Sequence, residues 1–170
     1  GRPCRLAVRL EKQIPHGAGL GGGSSDAAAM LMVLNALSTE KLRMDQLLEL
    51  AGELGSDVPF FLQGTACRCR GRGEKLEAAP VEEMDVVLAK PSFGVSTPDA
   101  YGRWKDSKEL PGVDYESQHC DGVDLVNDLE RPVFEKFPYL AELKMWFLGQ
   151  PEVQGALMSG SGATVFAVLR

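Results

Sequence analysis

The residues with the clearest chemical potential lie in one segment rich in glycine and serine. From Pro15 to Asp26 the sequence reads PHGAGLGGGSSD, and the apolar run AAAMLMVL follows directly. Glycine lets the backbone approach an anion closely, and a loop that enters a helix offers unpaired N–H groups and the positive end of the helix dipole. This segment, called the glycine loop below, therefore predicts a phosphate cradle.

Ser24 and Ser25 stand where the helix is expected to begin, so their hydroxyls can cap the helix, donate to a phosphate oxygen or bind a magnesium ion. His16 is interpreted as a solvent-facing spacer within the loop. The residues predicted to form the phosphate site are Pro15, Gly17, Gly19, Leu20, Gly21, Gly22, Gly23, Ser24 and Ser25.

The glycine loop has three other possible interpretations. Residues 17–22 satisfy the dinucleotide pattern G-x-G-x-x-G, but about 20 residues further on stand Thr39, Glu40 and Lys41 rather than an acidic ribose ligand in a βαβ unit. A P-loop needs a lysine at the helix start, and residues 23–25 read Gly-Ser-Ser. A flexible linker would not join a buried strand to an apolar helix. A general anion site is the interpretation that the residues support.

A second anion-friendly turn precedes the last apolar segment of the chain. It consists of Ser159, Gly160, Ser161 and Gly162 and is called the second turn below. On its own, such a sequence is typical of an ordinary turn. Together with a phosphate loop it favours a shared site.

Composition limits the class of ligand. The chain has 170 residues, 44% hydrophobic, with a net charge of -6 and a pI near 5.0. This acidic balance argues against a broad grip on nucleic acid, and no apolar run reaches the roughly 18 to 20 residues of a membrane span. Cys4, Cys67, Cys69 and Cys120 lack the spacing of a disulfide framework or a zinc site. We expect a small ligand and no metal on Cys67 or Cys69, which are interpreted as small packed residues. A reducing cytoplasm is expected, or the plastid stroma if the source is a plastid-bearing organism.

Periodicity predicts a mixture of strands and helices. Strands are predicted at residues 4–10, 65–70, 75–78, 86–89 and 164–169, and helices from Ser24 or Ser25 to Leu37 and at residues 44–54, 127–134 and 140–148. Thr97 is predicted to cap a further helix, with Pro98 at its first position. The acidic stretch 106–124 is predicted to be a long exposed excursion.

Three blocks taken together resemble the motifs of the GHMP kinase superfamily. They are the glycine loop, residues 55–61 with the sequence GSDVPFF, and residues 158–163 with the sequence MSGSGA. The resemblance extends from Ile14 to Phe166 and is thin between Lys105 and Gly122. It implies an α+β fold of two domains that meet near Pro80: part of a ribosomal-S5-like domain over residues 1–80 and part of a ferredoxin-like domain over residues 81–170.

The resemblance also implies an activity and residue roles. The reaction would transfer the γ-phosphoryl group of ATP, used with Mg²⁺, to a tertiary hydroxyl of a cytidine diphosphate methylerythritol in non-mevalonate isoprenoid biosynthesis. Asp57 would be the catalytic base or would orient the nucleophile; the alternative is that it only caps a short helix at Pro59. Thr97 and Tyr101 would bind the substrate, with Tyr101 against the cytosine ring unless it is an ordinary helical tyrosine.

Two alternatives stay open at this point: a GHMP kinase of the homoserine or mevalonate type, and a nucleotide-binding module without catalysis. The family's N-terminal block, whose lysine pairs with the catalytic aspartate, and its Asp-Gly-Tyr-His block have no counterpart in the sequence. On this ground we expect part of the family's length to precede Gly1 and a shorter part to follow Arg170. We also expect residues 1–170 alone to transfer phosphate poorly, since the cation that orients Asp57 is missing.

Overall fold

The computed structural model describes residues 6–73, 75–79 and 83–170. The helices are α1 (Gly22–Leu37), α2 (Met44–Leu54), α3 (Val58–Gln63), α4 (Thr97–Arg103), α5 (Glu130–Lys136) and α6 (Pro138–Leu148). The strands are β1 (Cys67–Arg70), β2 (Lys75–Ala78), β3 (Val86–Ala89), β4 (Gln118–Cys120), β5 (Val123–Leu125), β6 (Val153–Met158) and β7 (Val165–Leu169). The fold thus mixes helices and strands, as expected.

The largest sheet has the order β3-β7-β6, and all its pairings are antiparallel. Strand β7 lies in the middle, which agrees with its continuous apolar sequence VFAVL. Helix α6 packs on β6 and β7, and α5 packs on α6. Their buried side chains form the larger hydrophobic core, which includes Phe134, Leu140 and Phe147. The second turn lies between β6 and β7, at one end of this sheet.

A smaller core joins the first three helices. Ala28 of α1, Leu47 and Ala51 of α2, and Val58 and Leu62 of α3 are buried together. The strands β1 and β2 form a separate hairpin in the same part of the chain. This cluster positions the start of α1 beside the start of α3, and these two helix starts carry the glycine loop and Asp57. The predicted boundary at Pro80 falls outside the described residues.

Most predicted elements are present, with shifted ends. Helix α2 has the predicted bounds, whereas α1 begins at Gly22, α5 begins at Glu130 and α6 begins at Pro138. Ser96, with extended backbone angles, occupies the cap position of α4, so Thr97 is the first helical residue rather than the cap. None of the helices in the described ranges is long and apolar enough to cross a lipid bilayer.

The strand predicted at residues 4–10 is wrong over residues 6–10, and Cys4 and Arg5 lie outside the described residues. Leu6, Val8 and Leu10 are exposed. Alternation creates a strand only where a neighbouring strand supplies hydrogen-bond partners, and within the described ranges residues 6–10 have no such neighbour. The alternating pattern was therefore insufficient by itself.

The stretch 106–124 is not simply an exposed excursion. Its side chains Leu110, Val113 and Tyr115 pack against the larger core, and Cys120 is fully buried. It also contributes β4, which pairs with β5 in a hairpin. The acidic residues lie on the outside of a segment whose few apolar residues face inward, which is why its composition was misleading.

Candidate phosphate-binding and catalytic site

The glycine loop enters α1 with its backbone N–H groups uncommitted to the helix. Gly21 is the cap residue, in the left-handed conformation with φ 66°, and the amide of Ser25 donates the first helical hydrogen bond to the Gly21 carbonyl at 2.9 Å. The first N–H groups of a helix have no acceptor within it, and no side chain among the described residues caps this one. The helix start is therefore an anion site built from backbone.

Neither serine acts as a side-chain cap. The Ser25 hydroxyl donates to the carbonyl of Gly22 at 3.0 Å, which leaves its oxygen lone pairs free to accept. A Cβ placed on Gly23 would meet nothing within 4 Å, so the space beside the first turn of α1 is open. Of the roles considered for the serines, side-chain capping is not observed at α1, and the Ser25 hydroxyl, whose proton is committed to Gly22, is arranged to accept rather than to donate.

The second turn holds the glycine loop directly. The Ser159 hydroxyl donates to the carbonyl of Gly19 at 2.8 Å, and the amides of Ala163 and Thr164 donate to the carbonyls of Gly17 and Ala18 at 3.2 and 3.1 Å. The approach is close enough that a Cβ on Gly19 would lie 2.0 Å from the Ser159 carbonyl oxygen. The two glycine-rich segments singled out in the sequence thus form one structure.

A cavity of about 410 Å³ opens between the glycine loop, the second turn and the start of α3. Its lining residues are Gly19, Leu20, Gly21, Asp57, Phe60, Phe61, Cys69 and Ser159. Below the loop, the Phe61 ring comes so close that a Cβ on Gly21 would lie 2.6 Å from it. The cavity therefore brings together the predicted phosphate site and the predicted catalytic residue.

Asp57 stands at the cap position of α3, but its side chain makes no capping hydrogen bond. Asp57 is exposed and lines the cavity. Pro59 occupies one of the first positions of α3, where the lack of an N–H costs nothing. The geometry therefore argues against the alternative in which Asp57 only caps the helix.

Cys69 places a thiol in the same cavity. The pKa of this thiol is raised, mainly by partial desolvation and further by Cys67 and Asp57. At neutral pH the thiol is protonated and adds no charge beside Asp57. Cys67 is half-buried, whereas Cys69 is exposed, so the prediction that both are packed is wrong for Cys69. Within the described ranges no group of three or more His, Cys, Asp or Glu residues could hold a metal ion.

Helix α4 is joined to the second turn by one side-chain hydrogen bond. The hydroxyls of Thr97 and Ser161 lie 2.7 Å apart. Tyr101 follows one turn later on α4, 64% exposed, and does not line the cavity. Of the remaining predicted site residues, Pro15 and Gly160 are exposed, Ser24 is half-buried and Gly162 is buried, and the loop residue His16 is exposed.

Sequence reasoning missed a cation beside the loop. The ammonium group of Lys12 forms an ion pair with Asp26 in the second turn of α1. A Cβ on Gly22 would lie 3.5 Å from the Lys12 nitrogen, so this charge stands next to the helix start. No motif signalled Lys12; its role becomes visible only when residues 12 and 26 are brought together by the fold.

Sequence reasoning also missed the residues behind the second turn. The Asn127 amide nitrogen donates to the carbonyls of Met158 and Gly160 at 2.7 and 2.8 Å. The Glu130 carboxylate accepts the Met158 amide N–H at 2.7 Å and pairs with the Lys144 ammonium at 2.7 Å. The sequence offers one indication of this support: a glutamate, Glu130, and a lysine, Lys144, each lie among apolar residues of a predicted helix.

The comparisons with known proteins agree with these motifs. The family described as the GHMP kinases N-terminal domain matches residues 1–65. A 4-diphosphocytidyl-2-C-methyl-D-erythritol kinase of Methylacidiphilum infernorum is 43% identical, and the alignment covers 99% of this chain and 59% of that protein. The chain belongs to the GHMP kinase superfamily. The prediction of the family from the three blocks is confirmed.

Two further GHMP kinases define the extent of the match. The chloroplastic or chromoplastic enzyme of the same name from Solanum lycopersicum is 39% identical over 95% of this chain and 43% of its own length. A crystal structure of a 4-(cytidine 5'-diphospho)-2C-methyl-D-erythritol kinase is 37% identical, with a TM-score of 0.72, and the match covers 93% of this chain and 59% of that one. The chain thus spans about 59% of the length of the first bacterial relatives.

Proposed function

We propose that this chain forms the phosphate-binding part of an ATP-dependent kinase that phosphorylates the 2-hydroxyl of 4-diphosphocytidyl-2-C-methyl-D-erythritol. The observation that carries the proposal is the single cavity in which Asp57 faces the backbone of Gly19 and Gly21 and the second turn. The names of the relatives support the choice of substrate. The division into an N-terminal domain over residues 1–80 and a C-terminal domain over residues 81–170 is part of the same proposal.

In this proposal the phosphates of ATP lie at the start of α1. The uncommitted N–H groups of residues 22–24 would bind the transferred phosphoryl group, whose charge spreads over its equatorial oxygens during transfer. A Mg²⁺ ion bound with ATP would neutralise part of that charge, and the Ser25 oxygen, which has lone pairs free, would be its ligand on this chain. The Lys12 ammonium, which is paired with the Asp26 carboxylate, lies beside the same helix start and would supply a further donor to a bound phosphate.

Asp57 would act on the attacking alcohol. An alcohol is a weak nucleophile at neutral pH, and a carboxylate that accepts its proton, or holds it by a hydrogen bond, directs the oxygen towards phosphorus. Asp57 suits this role because its side chain makes no capping hydrogen bond and the residue lines the cavity. Thr97 and Tyr101 would bind the cytidine end, with the exposed Tyr101 ring offering a face for stacking.

The test is an ATP-consumption assay of the natural gene product that contains this chain. Activity with the cytidine diphosphate methylerythritol, and much less with homoserine or mevalonate, is expected. The Asp57→Asn variant should lower kcat by about 10²- to 10⁴-fold, the usual contribution of a positioned general base. Asp45→Asn is the matched control, because Asp45 is exposed, forms its ion pair with Arg43 on the surface at the start of α2, and does not line the cavity.

Three results would contradict the proposal. Equal activity with homoserine or mevalonate would assign a different GHMP kinase. Binding of ATP without transfer to any of the three alcohols would support a non-catalytic nucleotide-binding protein. Full activity of Asp57→Asn would show that the carboxylate has no part in the chemistry.

A further inference from the structure

The second turn is held from behind by a side chain that does not line the cavity. Asn127 uses both kinds of group in its amide: the nitrogen donates to the carbonyls of Met158 and Gly160, and the oxygen accepts the Leu129 amide N–H at 3.0 Å. The two acceptors flank Ser159, so one amide group bridges the residues on either side of it. This bridge fixes the separation of those carbonyls and the direction in which Ser159 points.

The same turn is anchored a second time by a buried charge. Glu130 accepts the Met158 N–H with one carboxylate oxygen and the Lys144 ammonium with the other, and the Lys144 ammonium also donates to the Asp114 carbonyl. Glu130 and Lys144 are 1% and 0% exposed. Buried side chains that are held by several hydrogen bonds have little freedom to move, so the Met158 N–H has a rigid partner and supports the turn.

Ser159 links the second turn to the phosphate site. Its hydroxyl donates to the Gly19 carbonyl, and the contact leaves no room for a Cβ on Gly19. A displacement of the turn therefore displaces the backbone of the glycine loop, whose N–H groups are the anion site. Sites built from backbone have no side chain that can readjust, so small displacements reduce binding.

We propose that Asn127 is a positioning residue for ATP: it holds Ser159 against Gly19 and so sets the geometry of the phosphate cradle. The inference rests on the proposed kinase function and adds a residue that lies outside the cavity. Removal of the amide donors loosens the second turn, and the cost falls on nucleotide binding rather than on the overall fold.

The test compares Asn127→Asp with Asn35→Asp in the natural gene product that contains this chain. Asn127→Asp keeps the shape of the side chain, removes both donors and sets a carboxylate against two carbonyl oxygens. Asn35 is a matched control, because its amide also bonds one carbonyl and one amide, both of Leu42, at the far end of α1. Thermal unfolding and the KM for ATP are measured for both. We expect the KM for ATP to rise about ten-fold in Asn127→Asp, as for the loss of two hydrogen bonds, and less than about two-fold in Asn35→Asp.

A second comparison does not depend on the folding of the aspartate variant. Asn127→Ala and Ser159→Ala are combined in a double-mutant cycle on the KM for ATP. If Asn127 acts through Ser159, the double variant should lose little more than the worse single variant. Additive effects, or a KM for ATP unchanged in folded Asn127→Ala, would overturn the inference while leaving the kinase proposal intact. An unmutated protein that shows no saturable use of ATP would overturn both.

Discussion

The buried ion pair behind the second turn gives a prediction whose size follows from the structure. Lys144→Met removes the ammonium group and keeps an unbranched chain of similar reach, so the Glu130 carboxylate stays buried without its cation. Breaking a buried pair in this way costs about 3–5 kcal/mol. That is a large fraction of the roughly 5–15 kcal/mol by which domains are stable, and it corresponds to a fall in Tm of roughly 6–20 °C for a protein of this size.

The pH dependence of the loss has a definite sign. Burial raises the pKa of Glu130 above its ordinary value of 4.5, and Lys144 is the main group that opposes this rise. In Lys144→Met the pKa of Glu130 rises further. Between pH 4.5 and this raised pKa, the Glu130 carboxyl is protonated in the folded protein and ionised in the unfolded chain. A group with a raised pKa contributes stability that is present below pH 4.5 and is lost as the pH rises through its folded pKa. The destabilisation by Lys144→Met should therefore be largest at neutral pH and shrink towards pH 5.

The assay is urea unfolding of the unmutated and variant proteins at several pH values. The double variant Glu130→Gln/Lys144→Met is the decisive companion, because glutamine keeps the oxygen that accepts the Met158 N–H and carries no charge. It should recover part of the lost free energy of unfolding, ending within about 1–3 kcal/mol of the unmutated protein. A Lys144→Met loss below about 1 kcal/mol, or a double variant no better than the single one, would refute the assignment of a buried charge pair.

Two further predictions test the contacts around the glycine loop. Gly19→Ala should lower the free energy of unfolding by about 2–5 kcal/mol, because Gly19 has φ 74° and an added Cβ would overlap the Ser159 carbonyl. The control Gly52→Ala, in an open helical position, should raise it by about 0.5–1 kcal/mol. Equal urea midpoints for the two variants would contradict the close approach of Gly19 to Ser159. Thr97→Val should lower the free energy of unfolding by about 0.5–1.5 kcal/mol through loss of the bond to Ser161, while Thr97→Ser, which keeps the hydroxyl, should change it much less; identical losses would show that the bond contributes nothing.

Local patterns were sufficient where one segment determines its own structure. Helix α2 was predicted with the bounds observed because its apolar residues Leu47 and Ala51 face one core and Gly55 follows its end. The glycine loop was recognisable for the same reason: its glycines and the helix after it are adjacent in the chain. The sequence favours a shared site for the glycine loop and the second turn but does not establish it, because the two segments meet only through contacts between distant parts of the chain.

The structure differs from the sequence predictions at residues 106–124 and at β6, two segments that contact each other. The sequence predictions omit β6, whose apolar run is interrupted by Gly155, and they treat the acidic stretch as an exposed loop because few of its residues are apolar. In the structure these two segments touch: a Cβ on Gly155 would lie 2.5 Å from the Cys120 sulfur, and the Gln118 side chain accepts the Ala156 amide N–H at 2.8 Å. A glycine within a strand can mark the close approach of another segment, here through the side chains of Cys120 and Gln118, but the sequence does not identify the partner.

The distances along the chain explain why the supporting residues were harder to find than the loop they support. The Ser159 hydroxyl and the Gly19 carbonyl that it holds are 140 residues apart, and Asn127 is 33 residues from Gly160. A site made of backbone N–H groups tolerates changes in exposed side chains, so His16 should be replaceable with little effect. It does not tolerate displacement of the backbone, and the residues that prevent displacement lie in helices and turns elsewhere. Substitution of Asn127 should therefore impair ATP binding more than substitution of an exposed residue of the glycine loop such as His16.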